Sequence, residues 1–243
     1  MSKASGHHFG SLPPAATGLG HIFSRPRVLA GFCVIALAGL GWFYAALLFA
    51  RMAEPFGSSG ASFVQALCRP LADPSCQWAN HLGATVIGTV GSKEKAELAK
   101  KNGCHHTILY RDEDFVAKVK EITSGKLCDV VYDGIGKTTF PASLDCLRPL
   151  GYFVSFGSAS GQIEAFNINI LQTKGSLFAT RPTLNNYVAK RDDLIATAAD
   201  LFKVVGSGAV KIPINQKYSF KDAAKAHKEM EGRDTTGSSI LVP

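Results

Sequence analysis

Ser92, Lys93 and Lys95 stand directly behind a β-branched run, Thr85–Val90, with Gly91 between. A hydroxyl and two ammonium groups at a strand end suit an anion of the phosphate type, whereas a ribose diol calls for a carboxylate there. The same residues have an ordinary structural use, Ser92 as a helix N-cap and the lysines as a solvated helix face. The next run, His106–Tyr110, closes on Tyr110-Arg111, a pair able to stack on a base or meet a phosphate. Further on, Asp129–Asp133 leads into Gly134-Ile135-Gly136, and Tyr152–Phe156 leads into Gly157-Ser158-Ala159-Ser160-Gly161. Glycines at two successive strand ends let a ligand approach the backbone closely.

Such ends work together only if the runs lie side by side. From Cys76 onward β-branched runs alternate with helical patterns, the mark of βαβ units around a mostly parallel sheet. The strands expected are the four runs above together with Ser176–Thr180 and Ser239–Val242. Helices are expected over Ser92–Asn102, Glu113–Thr123, Thr139–Leu147, Arg191–Val205 and Lys221–Glu231, with Gly103, Gly125 and Gly151 as left-handed caps. The class is α/β, a Rossmann-like doubly wound parallel sheet. In such sheets ligands bind beyond the carboxyl ends of the strands. The segment Gly91-Ser92-Lys93-Glu94-Lys95 after the second run, which offers a glycine, a hydroxyl and two lysines where an NAD site would put an acid at the strand end, then favours NADP over NAD.

Composition narrows the rest. The chain has 243 residues, 46% of them hydrophobic, and a formal charge of +7. That excludes a disordered tail or a disulfide miniprotein. The basic residues are scattered and form no tract, so no nucleic-acid partner is expected. The six cysteines are widely spaced without a C-x-x-C, and His7, His8 and His21 lack ligand spacing, so neither a metal site nor a disulfide framework is expected. A reducing compartment follows.

The front of the chain differs. Residues 1–27 read as a flexible Gly/Pro-rich leader. Residues 28–50 form an uncharged run of 23 residues bounded by Arg25, Arg27 and Arg51. As a helix it would rise about 34 Å, enough to cross a hydrocarbon core of roughly 30 Å. A transmembrane helix is expected there, a buried core helix being the alternative. Residues 51–75, with GSSG at 57–60 and prolines at 70 and 74, read as a linker or fusion junction.

The stretches CQWANHLGATVIGTVGSKEKAELAKKNG, VVYDGIG, SLDCLRPLGYFVSFGSASG, KGSLFATRPTL and GSSILVP carry a family pattern. Over residues 76–243 the chain resembles the C-terminal two-thirds of NADPH-dependent quinone oxidoreductases, the zeta-crystallin-like, zinc-free branch of the medium-chain dehydrogenase/reductase superfamily. The resemblance implies NADPH as cofactor and direct hydride transfer to a quinone or similar small acceptor, without a dedicated catalytic acid or base. Carried over by position, Gly91, Ser92 and Lys95 hold the 2′-phosphate and Tyr110 lies beside the same end. Phe156, Gly157 and Ser158 match the strand end near the nicotinamide half, to which the glycine-rich end at Gly134 is assigned from its own residues. Zinc is not implied, and a second copy of the chain is a candidate partner.

Residues 1–75 do not resemble that family. Where its glycine-rich turn should grip the diphosphate, the chain reads Arg69-Pro70-Leu71-Ala72-Asp73-Pro74-Ser75. Asp73 and Pro74 suit a helix start, yet a carboxylate there opposes a diphosphate. The expectation is a truncated sheet lacking its opening strand and its phosphate turn. Flanking charge places the leader inside and the remainder outside, whereas NADPH is supplied inside. A chimera or truncation of low activity reconciles the two, with the nucleotide-binding part in the cytoplasm whether or not an anchor precedes it. The competing expectations are a non-catalytic nucleotide-binding remnant and a protein whose function lies in the N-terminal segment.

Overall fold

The computed structural model describes residues 62–66 as backbone, and residues 74–232, 235 and 238–243 in full. The leader, the 28–50 run and most of the 51–75 junction lie outside the described residues. Among the described residues no helix is long and apolar enough to cross a membrane.

Six parallel strands form one sheet in the order β3-β2-β1-β4-β5-β6. They are β1 Ser62–Ala66, β2 Thr85–Val90, β3 His106–Leu109, β4 Cys128–Asp133, β5 Leu147–Ser155 and β6 Phe178–Thr180. The order reverses between β1 and β4, and the crevice of a doubly wound sheet opens at such a switch point.

β1 corrects the expectation of a missing opening strand. Phe63 to Ala66 register against both Val86–Thr89 of β2 and Val130–Asp133 of β4, so this segment is the centre of the sheet. Its five residues, SFVQA, are too short and too polar to stand out locally, and only the two flanking ladders define them as a strand.

Helices cover both faces. On one side α1 (Pro74–His81), α2 (Lys93–Lys101) and α6 (Arg191–Gly206) enclose Trp78, Val86, Val130, Tyr132, Val154 and Leu201. On the other, α3 (Phe115–Ile122) and a 3-10 turn over Ala142–Cys146 enclose Ile87, Ile108, Val119, Val131, Leu144 and Phe153. The alternation of Val130 and Tyr132 against Val131 is the period-2 signature of a strand buried on both faces. Two short helices, α4 (Asn169–Thr173) and α5 (Leu184–Tyr187), flank β6.

Three further expectations are corrected. The helix expected over Thr139–Leu147 is only the 3-10 turn, and Leu147 already begins β5. Pro141 supplies no backbone N–H to continue an α-helical ladder. Gly103 and Gly125 take positive φ as expected, but at the third turn Leu150 does so instead of Gly151. Gly151 is required for space, because a Cβ there would lie 2.9 Å from the Arg148 carbonyl. The last run does not join the main sheet. β8 (Ser238–Val242) pairs in parallel with β7 (Ile214–Ser219), a polar strand that sequence patterning missed, and α7 (Ala223–Gly232) connects them. The small sheet is tied back through Gln77, which donates to the Lys211 carbonyl at 3.1 Å and accepts from the Lys211 N–H at 2.7 Å.

Because β1 is hydrogen-bonded on both sides, its amides should exchange as slowly as those of Val130 and Val131. Native-state hydrogen exchange checks this, and Val64→Pro should lower stability by about 3 kcal/mol or more. Fast exchange at Val64 would remove β1 from the sheet.

Candidate functional site

The C-terminal edge of the sheet carries two clusters. The first lies where β2 and β3 end. A Cβ on Gly91 would stand 3.0 Å from the Tyr110 hydroxyl, so the Tyr110 ring lies over Gly91. Ser92 caps α2, accepting from the Lys95 N–H at 3.3 Å. Its hydrogen bond to Glu94, with that residue's own N–H and the charge of Lys93, holds the Glu94 carboxyl below its ordinary value. The structural use of Ser92 is therefore realised. Lys93 and Lys95 make no ion pair among the described residues, whereas Lys100 pairs with Glu97 and Lys118 with Glu121. Two ammonium groups beside a helix N-terminus and a glycine make the first cluster electropositive.

The second cluster is built on Asp133, the last residue of β4, which is 0% exposed. Its carboxylate accepts from the N–H groups of Ile135 at 2.8 Å and Gly136 at 2.9 Å, and from the hydroxyls of Thr139 at 2.6 Å and Ser143 at 2.8 Å. These bonds bend the chain sharply after β4. The bend meets the end of β5 without room for side chains: a Cβ on Gly157 would lie 2.5 Å from the Gly134 carbonyl, and one on Gly134 would lie 2.9 Å from the Phe156 ring. Ala159 N–H then donates to the Gly134 carbonyl at 3.1 Å and Ser160 N–H to that of Ile135 at 2.9 Å. The two glycine-rich strand ends thus form one body.

Arg181, just past β6, extends that body to a third strand. Its Nη1 donates to the Gly157 carbonyl at 2.7 Å and to the Ser155 hydroxyl at 3.0 Å. Beside it opens a cavity of about 460 Å³, lined by Arg181, Ser155, Thr180, Phe153 and Phe166 among others. From β2 to β5 there are three strand spacings, roughly 14 Å, the reach of an extended dinucleotide and more than a single nucleotide needs.

Of the residues singled out from sequence, Gly91, Ser92, Lys95 and Tyr110 come together in the first cluster. Gly134, Phe156, Gly157 and Ser158 come together in the second. Asp133 and Arg181 were missed. The Asp-Gly pair closing a strand was the available signal for Asp133, since such aspartates bind the backbone two residues on. Nothing local marks Arg181, whose partners lie more than twenty residues away. Residues 67–73, opposite the expected diphosphate, lie outside the described residues, and no glycine occurs between Gly60 and Gly83.

Comparison with known proteins places this architecture. The zinc-binding dehydrogenase family matches residues 72–203, more than half of the chain. The chain belongs to that family. A quinone oxidoreductase of Salmonella typhimurium is 50% identical over 171 residues, covering 70% of this chain and 52% of that protein. A 2-haloacrylate reductase of Burkholderia sp is 49% identical over 167 residues, covering 68% of this chain and 50% of that protein. The structure of Escherichia coli quinone oxidoreductase complexed with NADPH has a TM-score of 0.73 at 41% identity, over 82% of this chain and 62% of that one. The chain spans about half the length of the curated relatives it matches.

The family name implies zinc, and the described residues do not fit it. They contain no group of three or more His, Cys, Asp or Glu able to hold a metal ion. Cys76, Cys104, Cys128 and Cys146 are buried. Burial above all, with the nearby Asp145 charge, pushes the Cys146 thiol up to about 12, and burial raises Cys128 as well. Thiols so disfavoured as thiolates are poor zinc ligands.

The Asp133 network sets the geometry of the second cluster and should be costly to remove. Asp133→Ala takes the acceptor from the buried Gly136 N–H, the half-buried Ile135 N–H and the Ser143 hydroxyl, leaves Thr139 only its bond to the Gly136 carbonyl, and should lower stability by about 3 kcal/mol. Urea denaturation measures it. A loss under about 1 kcal/mol would show that water replaces the carboxylate.

Proposed function

We propose that this chain carries the NADPH-binding part of a quinone reductase. The observation that supports this most is the pair of clusters at the switch-point edge. One is basic, with two lysines that make no ion pair among the described residues and a glycine, not an acid, directly behind β2. The other is a glycine-lined body three strands away. In this reading Lys95, Lys93 and the Ser92 hydroxyl hold the adenosine 2′-phosphate, and Tyr110 flanks the same end. Gly134 and Gly157 admit the nicotinamide ribose close to the backbone, beside Phe156 and Ser158.

NADPH, when bound, supplies a hydride from its nicotinamide ring. The quinone takes that hydride together with a proton from solvent and becomes the hydroquinone. The residues of this chain bind and orient, and none is assigned as acid or base. Both relatives above are named for the reduction of small unsaturated compounds, which supports a small acceptor of that kind. The uncharged run 28–50 is proposed as the anchor, with the nucleotide-binding part on the cytoplasmic side where NADPH is supplied. Recovery of the full chain in the soluble fraction after carbonate extraction would discard it.

The glycine-free stretch between Gly60 and Gly83 favours one second reading, a module that binds the nucleotide weakly without turnover. One titration, followed by one assay, separates the readings. NADPH should give a saturable fluorescence change with a Kd about tenfold or more below that of NADH, and Lys93→Ala with Lys95→Ala should erase the difference. Absence of saturable binding, or equal affinity for both nucleotides, would overturn the proposal. Saturable binding with no NADPH oxidation by a simple quinone would select the second reading.

A further inference from the structure

We infer that Arg181 is a positioning residue for the nicotinamide end of the nucleotide, acting through the Gly157–Ser158 peptide. The inference rests on the nucleotide-binding reading above and adds a residue to it. In the loop after β5, nearly every backbone N–H is committed. Phe156 and Gly157 donate to the Asp133 carbonyl at 2.9 and 3.4 Å, Ala159 to Gly134 at 3.1 Å, Ser160 to Ile135 at 2.9 Å, and Gly161 to Ser158 at 3.0 Å. Ser158 is exposed, and its N–H donates to no group among the described residues.

The direction of that one uncommitted donor is fixed by Arg181. The guanidinium grips the Gly157 carbonyl at 2.7 Å and is itself braced on the Ser155 hydroxyl at 3.0 Å. In a planar trans peptide the carbonyl and the following N–H point in opposite directions. Holding the Gly157 carbonyl on Arg181 therefore aims the Ser158 N–H away from the guanidinium with little freedom to turn. A charge-assisted bond is roughly twice as strong as a neutral one, so the peptide is held before any ligand arrives. Preorganised donors of this kind cost little on binding.

The ligand group this suits is an uncharged acceptor such as the carboxamide oxygen of nicotinamide. The 2′-phosphate cluster lies roughly three strand spacings away. Arg181 therefore bears on one half of the nucleotide only, and a fragment that lacks nicotinamide should be indifferent to it.

The full chain and two ligands test this: NADPH, and 2′,5′-ADP, which keeps the phosphate end and lacks the nicotinamide. Arg181→Ala should weaken NADPH about tenfold and change 2′,5′-ADP by less than about twofold, with circular dichroism showing the native melting transition. Arg181→Lys, which restores one charged donor, should recover part of the NADPH affinity. Should Arg181→Ala fail to fold, Ser158→Pro removes the N–H while leaving the guanidinium, and should give the same selective loss. Equal weakening of both ligands, or no change in either, would overturn the positioning role while leaving the nucleotide reading intact. Wild-type protein that binds neither ligand would overturn both.

Discussion

A carboxylate with no access to water shapes the edge of this sheet. Asp133 ends the strand next to the centre, and its four hydrogen bonds turn the backbone at Gly134 tightly enough to meet Gly157 of the neighbouring strand. Burying a charge is tolerable only when its acceptor capacity is filled. Here two backbone amides and two hydroxyls fill it. The close approach of the two glycine turns, the bonds from Ala159 and Ser160 and the reach of Arg181 to the Gly157 carbonyl all presuppose that bend.

The central strand imposes the second constraint. β1 lies between β2 and β4 and sets the distance between the basic cluster and the glycine-lined one. Without it β2 and β4 would be adjacent strands. With it the end of β2 stands two strand spacings from that of β4 and three from that of β5, on either side of the point where strand order reverses. The sequence that follows β1 has no glycine before Gly83.

Much of the fold was legible because buried parallel strands advertise themselves. Thr85–Val90 reads as a strand from its β-branched run and occupies those residues in the structure. The helix Arg191–Gly206 places Thr197, Leu201 and Val204 on one buried face, at the spacing a helix demands. β1 and β7 escaped notice because SFVQA and INQKYS are short and carry polar residues, so neither run declares a face. The 3-10 turn at Ala142–Cys146 escaped because a helical pattern continued past Pro141, where the hydrogen-bond ladder could not.

The sequence by itself determined the α/β class, the succession of strand ends and the chemical types gathered at each: hydroxyl and ammonium behind β2, glycines behind β4 and β5. Those are local properties, written in composition and period. Only the tertiary structure decided which ends are neighbours, that β1 exists, that β8 pairs with β7 outside the main sheet, and that Asp133 and Arg181 hold the glycine turns behind β4 and β5. Each depends on a partner far along the chain, and no local pattern encodes which distant segment will supply a strand's ladder or a side chain's hydrogen bond.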